Sequence, residues 1–430
     1  MKTIPRDRYL KQLIDRKENG LVKVITGIRR CGKSYLLFHI YRDYLLSCGV
    51  GEDHIISLAL DEDRNRQYRQ PDALAKFLND SIRNGTETFY ILLDEVQFAI
   101  SQKELKSREP IRLYGILNEL LHRGNVDVYV TGSNSKFLSS DVMTEFRGRG
   151  DEIRVYPLSF AEFMSAYNGD KYDGFYEYST YGGLPMILDR KTEADKIKYL
   201  TDLLSAVYIK DISERHPLKN PMLMENLLNV VSSSVGSLTN PLKLANAFSS
   251  NGMKISEKTV SSYLDHLIDA FILSKAERYD VKGKRHINSP YKYYFTDIGL
   301  RNARLHFRQQ EQPHILENLI YNELIARGYS VDVGVVERSA RAENGKQKII
   351  PYEVDFVCNL GSKRYYIQSA FSIPDAQKME QERKPLLGIN DSFKKFIIVQ
   401  DHVKTWQDEN GFIIMNVLDF LLDPDSLYYN

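Results

Sequence analysis

With 430 residues, the chain is two to three times longer than a domain built around one hydrophobic core, which excludes a single small module. Its 58 Lys and Arg against 57 Asp and Glu leave a formal charge of +1, so the molecule as a whole is not a polycation that attracts nucleic acid or anionic lipid. The apolar runs fall short of the roughly 20 residues that span a bilayer, and the charged N-terminus lacks the apolar core of a secretory signal. Three widely spaced cysteines fit neither a disulfide framework nor a zinc cage. We therefore expect a cytoplasmic protein with no membrane partner.

The hydrophobic patterning divides the chain into four consecutive segments. Residues 1–165 alternate short β-rich runs with helical patterns, which predicts an α/β domain with a parallel sheet. Residues 166–215 read as a helical annex, and 216–305 as three helices followed by a basic, tyrosine-rich β segment. Residues 306–430 predict a C-terminal α/β domain. The β-rich runs of the first segment are 22–26, 55–60, 89–93 and 126–131.

The strongest motif is a complete G-x-x-x-x-G-K-[ST] phosphate loop between the first predicted strand and a helix. Its residues are Gly27, Ile28, Arg29, Arg30, Cys31, Gly32, Lys33 and Ser34. Glycines let the backbone N–H groups wrap around phosphates at a helix N-terminus. Lys33 is expected to contact the β- and γ-phosphate oxygens of ATP, and Ser34 to bind Mg²⁺.

Acidic and polar side chains follow two further strands of the same predicted sheet. About 60 residues after the loop, the apolar run 89–93 ends in Asp94 and Glu95, a Walker B arrangement. Asp94 is expected to hold Mg²⁺, and Glu95 to orient and deprotonate the attacking water. The run 126–131 is followed by Ser133 and Asn134, either of which is a candidate sensor of the γ-phosphate.

Together with residues 93–97, 131–135 and 156–160, the loop resembles the AAA-plus superfamily of P-loop NTPases. The resemblance is to predicted bacterial and archaeal members with a C-terminal half of unknown function. It spans nearly the whole chain and makes 1–165 an AAA-plus-like ATPase domain and 166–215 its lid. In such ATPases an arginine after the sensor completes a neighbour's site. Arg149 is our first candidate for this role and Arg147 the alternative, and either implies a homo-oligomer.

Residues 216–305 follow the order of a winged helix-turn-helix module, which the related ATPases also carry. Residues 217–304 contain 12 Lys and Arg against 7 Asp and Glu. Double-stranded DNA is therefore a candidate partner. Asp265 and Asp269 on the expected recognition helix oppose DNA contact, so docking of a protein remains the alternative. The cations near the wing are Lys275, Arg278, Lys282, Lys284, Arg285 and Lys292.

The order of acids in 306–430 resembles the PD-(D/E)xK nuclease fold, in which a helix acid, a strand Asp and an E-x-K strand hold a metal. Glu317 and Asp355 match the first two positions. The next strand has Gln368 and Ala370 instead of a carboxylate and a lysine, which predicts an inactive nuclease-like domain. Lys378 is a possible substitute lysine, and the alternative is that the acids are only charges at element ends.

These features favour a Mg²⁺-dependent ATPase whose nucleotide state controls C-terminal DNA- or protein-binding modules. A second hypothesis is a nucleotide-gated protein-interaction switch with little turnover. An active DNA nuclease is the third hypothesis, and the residues at positions 368 and 370 oppose it.

Overall fold

The computed structural model describes residues 3–83, 85–101, 104, 111–132, 148–209, 212–213, 220–308, 311–341 and 347–428. These residues form two compact units. The N-terminal unit comprises Thr3–Pro157 with Asp269–Phe271, and the C-terminal unit consists mainly of Leu158–Ile268 and Ile272–Asn430. Within the described ranges, no helix is long and apolar enough to cross a membrane.

The N-terminal unit is built on a parallel sheet, as the sequence predicts, with a fifth strand that the sequence analysis did not identify. The strands are β1 (Val22–Thr26), β2 (Ile55–Ala59), β3 (Phe89–Asp94), β4 (Val126–Thr131) and β5 (Gly150–Arg154). They are arranged in the order β2-β3-β4-β1-β5. Every residue of β1, β3 and β4 is buried, which is typical of strands covered by helices on both faces. Because all five strands run in one direction, their carboxyl ends meet at one edge of the sheet.

Helices cover this sheet and supply the rest of its core. They are α1 (Asp7–Asp15), α2 (Lys33–Tyr35), α3 (Arg42–Ser47), α4 (Pro71–Ser81) and α5 (Arg112–Leu121). A π-helical segment, Leu36–Tyr41, joins α2 to α3, so the helix predicted after the phosphate loop is present but wider in its middle. Apolar residues of β1, β3 and β4 pack against α4 and α5 in one buried cluster.

The C-terminal unit contains an eight-stranded mixed sheet in the order β12-β13-β11-β10-β9-β8-β6-β7. Its strands are β6 (Leu273–Asp280), β7 (Arg285–Phe295), β8 (Ser330–Arg341), β9 (Gln347–Leu360), β10 (Lys363–Ala370), β11 (Lys394–Val399), β12 (Trp406–Gln407) and β13 (Ile413–Asn416). The hairpin β6–β7 joins the sheet through parallel pairing of β6 with β8. The sheet therefore combines strands from both sides of the domain boundary predicted at residue 305.

The helices described in this unit include three within 216–305 that the sequence predicts. The helices are α6 (Phe160–Ala166), α7 (Lys171–Tyr181), α8 (Glu193–Asp202), α9 (Pro221–Ser233), α10 (Pro241–Ser250), α11 (Glu257–Asp269), α12 (Ile298–Arg304), α13 (Gln312–Ala326), α14 (Ala376–Leu387) and α15 (Val417–Leu422). A π-helical segment, Leu203–Ile209, follows α8. Three helices and a hairpin follow one another in 216–305, but a winged helix and the four domain limits stay predictions.

Helix α13 is the element that positions the acidic residues of this unit. It packs against β7, β8, β9 and β10. Asn318 on α13 accepts a hydrogen bond from Phe295 N and donates one to Phe295 O, both at 2.8 Å. This paired contact fixes β7 against the helix, because both backbone groups of a buried edge residue are satisfied by one side chain.

Candidate nucleotide site and carboxylate centre

The phosphate loop leaves the carboxyl end of β1 and enters α2 through a tight, glycine-dependent path. Gly27 has a φ of 138° and Gly32 a φ of 101°. A Cβ on Gly27 would lie 2.0 Å from the backbone oxygen of Val155, so no larger residue fits there. Val155 N donates to Thr26 O at 2.8 Å, which continues the β1–β5 pairing beneath the loop.

The side chains of the loop divide between its inside and its outside. Lys33 is buried, and its Nζ donates to Gly27 O at 2.9 Å and to Ile28 O at 3.1 Å. Cys31 is fully buried with its Sγ 3.4 Å from Val155 O, so it packs under the loop. Arg30 is exposed with a φ of 68°. The backbone of the loop therefore surrounds one cationic group, the ammonium of Lys33.

A threonine that the sequence analysis did not assign connects the two Walker B acids. The pairing of Leu93 with Val130 brings Thr131 beside Asp94. Thr131 Oγ1 donates to Asp94 Oδ1 and accepts a hydrogen bond from Glu95 N at 3.1 Å. The signal in the sequence was a hydroxyl at the last position of the strand adjacent to the acid pair. Thr131 thus fixes both the first carboxylate and the backbone of the second acid.

Glu95 is held in an unusual backbone conformation and by one side-chain neighbour. Its φ is 53°, in the left-handed region that non-glycine residues rarely adopt. The Gln97 amide Nε2 donates to Glu95 Oε2. Glu95 is about nine-tenths buried. The second acid is therefore a constrained carboxylate at the end of β3, and Gln97 is a further residue of the site that the sequence did not reveal.

Burial raises the pKa of Asp94 from its ordinary value of 3.8 to about 6. The adjacent Glu95 charge acts in the same direction, whereas hydrogen bonds from Thr131 and Ser34 lower the pKa. Ser34 and Asp94 therefore bring their oxygens together at one end of the phosphate loop. A hydroxyl and a carboxylate in contact are the oxygen ligands that Mg²⁺ takes beside a nucleotide.

We expect Asp94→Asn to stabilise the fold near neutral pH. The pKa of Asp94 is raised on folding, so its charge costs stability above pH 6, on the order of 3 kcal/mol, and costs nothing below pH 4, where both states are protonated. The gain in the free energy of unfolding should therefore be largest above pH 6 and disappear as the pH falls to 4. Thermal unfolding of the nucleotide-free protein at several pH values measures it.

Asp127→Asn is the matched control because Asp127 is a buried carboxylate of the same sheet with a full ionic partner. It forms a salt bridge with Lys23, and both side chains are almost completely buried. Removing one member leaves a buried charge unpaired, which destabilises by about 3–5 kcal/mol. Asp127→Asn should therefore lower the free energy of unfolding at pH 7.5. If Asp94→Asn lowered it as well, Asp94 would not bury an uncompensated charge, and our explanation of its raised pKa would be wrong.

Of the remaining predicted site residues, three lie outside the described residues: Ser133, Asn134 and Arg147. Arg149 is exposed, with Nη1 3.0 Å from His122 Nε2, and its backbone oxygen accepts from Val22 N at 2.8 Å. Arg149 therefore lies beside the amino end of β1. The phosphate loop follows the carboxyl end of this five-residue strand, about 16 Å away along the strand. The roles assigned to all these residues stay predictions.

In the C-terminal unit, the two acids assigned from the nuclease resemblance lie around a lysine. Lys292 Nζ on β7 is 2.8 Å from Glu317 Oε1 and 3.7 Å from Asp355 Oδ1. It is also 2.7 Å from Glu353 Oε1. We call Glu317, Glu353 and Asp355 the carboxylate centre. The three acids share one cation, which argues against the interpretation that they are unconnected charges at element ends.

The assignment of one lysine changes in light of this geometry, and that of a second stays a prediction. Lys292 was grouped with the cations near the wing, but its side chain is only 3% exposed and contacts Glu317 and Glu353 of the carboxylate centre. Lys378, the candidate substitute lysine, contacts Glu382 on its own helix at 2.5 Å. The signal for Lys292 in the sequence is a single lysine among the tyrosines of 291–294. Over the described part of the chain, no three His, Cys, Asp or Glu side chains are arranged to hold a metal ion.

Two family models match parts of the chain. Residues 19–164 match the family model described as AAA domain, and residues 172–311 match a domain of unknown function, DUF8612. Among solved structures, the chain is similar to a Walker-type ATPase of Pyrococcus abyssi, with a TM-score of 0.48, 14% identity, and coverage of 70% of this chain and 96% of that one. It is also similar to the Aeropyrum pernix ORC1 protein in complex with DNA, with a TM-score of 0.32, 13% identity, and coverage of 73% and 94%.

The parallel sheet, the phosphate loop and the AAA domain match place residues 19–164 in the AAA-plus-like class of P-loop NTPases, as predicted. An uncharacterized protein of Haemophilus influenzae is 33% identical to the chain over 97% of this chain and 98% of its own length. An uncharacterized protein of Methanocaldococcus jannaschii is 28% identical over 97% of this chain and 88% of its own length. The chain therefore belongs to the same family as the Haemophilus influenzae protein.

Proposed function

We propose that the chain hydrolyses ATP with Mg²⁺ and that the nucleotide state controls binding by the C-terminal unit. The observation that carries the first part is the hydrogen-bonded connection of Asp94, Thr131 and Glu95 at the same sheet edge as the phosphate loop. A loop alone would support binding. An acid pair fixed beside it supports the chemistry of phosphoryl transfer to water.

The residues at this edge fit a nucleotide with its metal. The loop from Gly27 to Ser34 cradles phosphates with backbone N–H groups, and the ammonium of Lys33 lies within the loop. The contact of Ser34 with Asp94 supplies two oxygens for Mg²⁺. When bound, Mg²⁺ neutralises phosphate charge that develops during transfer.

The chain's own groups then orient and activate water. Glu95 accepts the proton of the attacking water, and its position is set by Thr131 through the backbone and by Gln97 through the side chain. Asn134 follows β4, whose carboxyl end lies next to that of β3, and is our proposed sensor of the γ-phosphate. Thr131 links these two strand ends.

Arg149 is proposed to act on a neighbouring copy. Its place at the amino end of β1 separates it from its own phosphate loop. Its exposed guanidinium is available to a second molecule, where a finger contributes about 10³- to 10⁵-fold in rate. Homo-oligomerisation follows from this role.

Phosphate release from ATP tests the proposed activity. We expect wild-type protein to release phosphate only with Mg²⁺, at a rate per chain that rises with protein concentration because Arg149 acts between copies. Absence of both binding and release would contradict the proposal. Tight binding with release too slow to measure would favour the nucleotide-gated switch.

A cationic hairpin favours DNA as the partner of the C-terminal unit. The turn between β6 and β7 exposes Lys282, Lys284 and Arg285. Asp265, on the polar face of α11, is also exposed and would repel a phosphate backbone. The hairpin rather than that helix face is therefore the proposed contact with duplex phosphates.

Lys284→Ala and Arg285→Ala should each weaken binding to duplex DNA equally for all sequences. Each should reduce the slope of log affinity against log salt by about 1, because one phosphate contact is lost. Fluorescence anisotropy with a labelled duplex at several salt concentrations measures both effects. Lys191→Ala, an exposed lysine elsewhere in the same unit, is the control. Unchanged slopes in the hairpin variants would favour a protein partner.

A further inference from the structure

The carboxylate centre of the C-terminal unit is organised around the side chain of Lys292. This ammonium lies within 2.8 Å of Glu317 and Glu353 and 3.7 Å from Asp355. The three acids come from α13 and β9, and the lysine comes from β7, at the far edge of the same sheet. Three carboxylates therefore share one cation that no local sequence motif supplies.

Several contacts fix Lys292 in this place. Tyr294, two residues along β7 and on the same face, donates its hydroxyl to Glu317 Oε1 at 2.7 Å. The double hydrogen bond between Asn318 and Phe295 sets the register of β7 against α13. Gly236 leaves room for the acid, since a Cβ there would lie 3.1 Å from both oxygens of Glu317. The position of the ammonium is thus built by backbone, aromatic and small residues together.

The surroundings of Lys292 determine its pKa and its charge. Burial lowers the pKa of Lys292, but the charges of Glu317, Asp355 and Glu353 raise it above its ordinary value, so the side chain is cationic. Asp355 has its other oxygen, Oδ2, occupied by Ser369 N at 2.8 Å. A divalent cation would have to displace a nearly fully buried ammonium from its carboxylate partners.

We propose that Lys292 is the resident cation of the carboxylate centre and takes the place of a divalent metal. The centre in the wild-type chain therefore binds no Mg²⁺ or Mn²⁺ and supports no metal-dependent cleavage of nucleic acid. The three acids are not arranged to hold a metal ion while the ammonium lies between them. Removal of the ammonium lets their side chains close on a divalent cation. This inference concerns a site separate from the proposed ATPase and does not depend on it.

Mn²⁺ binding to full-length, nucleotide-free protein tests the proposal. All variants carry Asp94→Asn, which removes the proposed metal ligand of the N-terminal unit. With Lys292 intact, we expect no bound Mn²⁺ by electron paramagnetic resonance. Adding Lys292→Met should create one site with a dissociation constant of about 10⁻⁴ to 10⁻³ M, typical of weak carboxylate sites. A further Asp355→Asn should abolish that site.

Thermal unfolding provides a second readout. Mn²⁺ should raise the unfolding temperature of the Lys292→Met protein and leave that of the protein with Lys292 unchanged, since a ligand stabilises only the state that binds it. Mn²⁺ bound by the protein with Lys292, and lost on Asp355→Asn, would overturn the proposal. So would plasmid cleavage that both Lys292→Met and Asp355→Asn abolish. If Lys292→Met fails to fold, the measurements on the protein with Lys292 decide alone.

Discussion

Replacing Lys33 with alanine should reduce ATP turnover by about 10²- to 10³-fold and weaken ATP binding, because a preorganised charge aimed at the phosphates is lost. Lys33 is the cation that the loop holds within its own curve, by hydrogen bonds to Gly27 O and Ile28 O. Binding is measured by titration with a fluorescent ATP analogue, and turnover by phosphate release.

Lys76→Ala separates this effect from a general loss of positive charge. Lys76 lies exposed on α4 of the same unit, so its removal should leave binding and turnover unchanged. Lys33 also donates hydrogen bonds to two backbone carbonyls of the loop. The unfolding temperature of Lys33→Ala must therefore be compared with that of the wild type. A folded Lys33→Ala protein with unchanged affinity and turnover would show that the loop does not hold the phosphates of ATP.

Most of the nucleotide site could be predicted because its parts are local in sequence. The buried runs that form β1 and β4 begin and end at the predicted residues. Strand β5 could not be found in the same way. Its sequence, with Asp151, Glu152 and Arg154 around one apolar Ile153, carries almost no apolar pattern, and only pairing with β1 makes it a strand.

The contacts that complete each site depend on strands brought together by the fold. Thr131 reaches Asp94 because β4 pairs with β3 in a register that no spacing rule supplies. Lys292 on β7 reaches Asp355 on β9, although β6 and β8 lie between these strands in the sheet order, and it comes from a segment that sequence patterning assigned to a different domain. The E-x-K motif places its lysine two residues after the acid position, here at position 370. A motif search therefore does not find Lys292. In the structure, the lysine beside Glu317 and Asp355 comes from β7.

Glu95→Gln should separate binding of ATP from its hydrolysis. The amide keeps the size of the side chain and still accepts the hydrogen bond from Gln97, but it cannot accept a proton from water. We expect the affinity for ATP to change little and kcat to fall by about 10²- to 10⁴-fold, the usual contribution of a general base. Phosphate release under single-turnover conditions measures the chemical step directly.

The comparison with Glu119→Gln and Gln97→Ala identifies the origin of that loss. Glu119 is exposed on α5, so its amide variant should hydrolyse ATP as the wild type does. Gln97→Ala keeps the base but frees its carboxylate from a fixed neighbour, and should lower kcat less than Glu95→Gln does while the rate keeps its dependence on Mg²⁺. A Glu95→Gln protein that hydrolyses ATP at the wild-type rate would remove Glu95 as the base. The constrained backbone at Glu95 would then serve only to end β3 and present Asp94 to the metal.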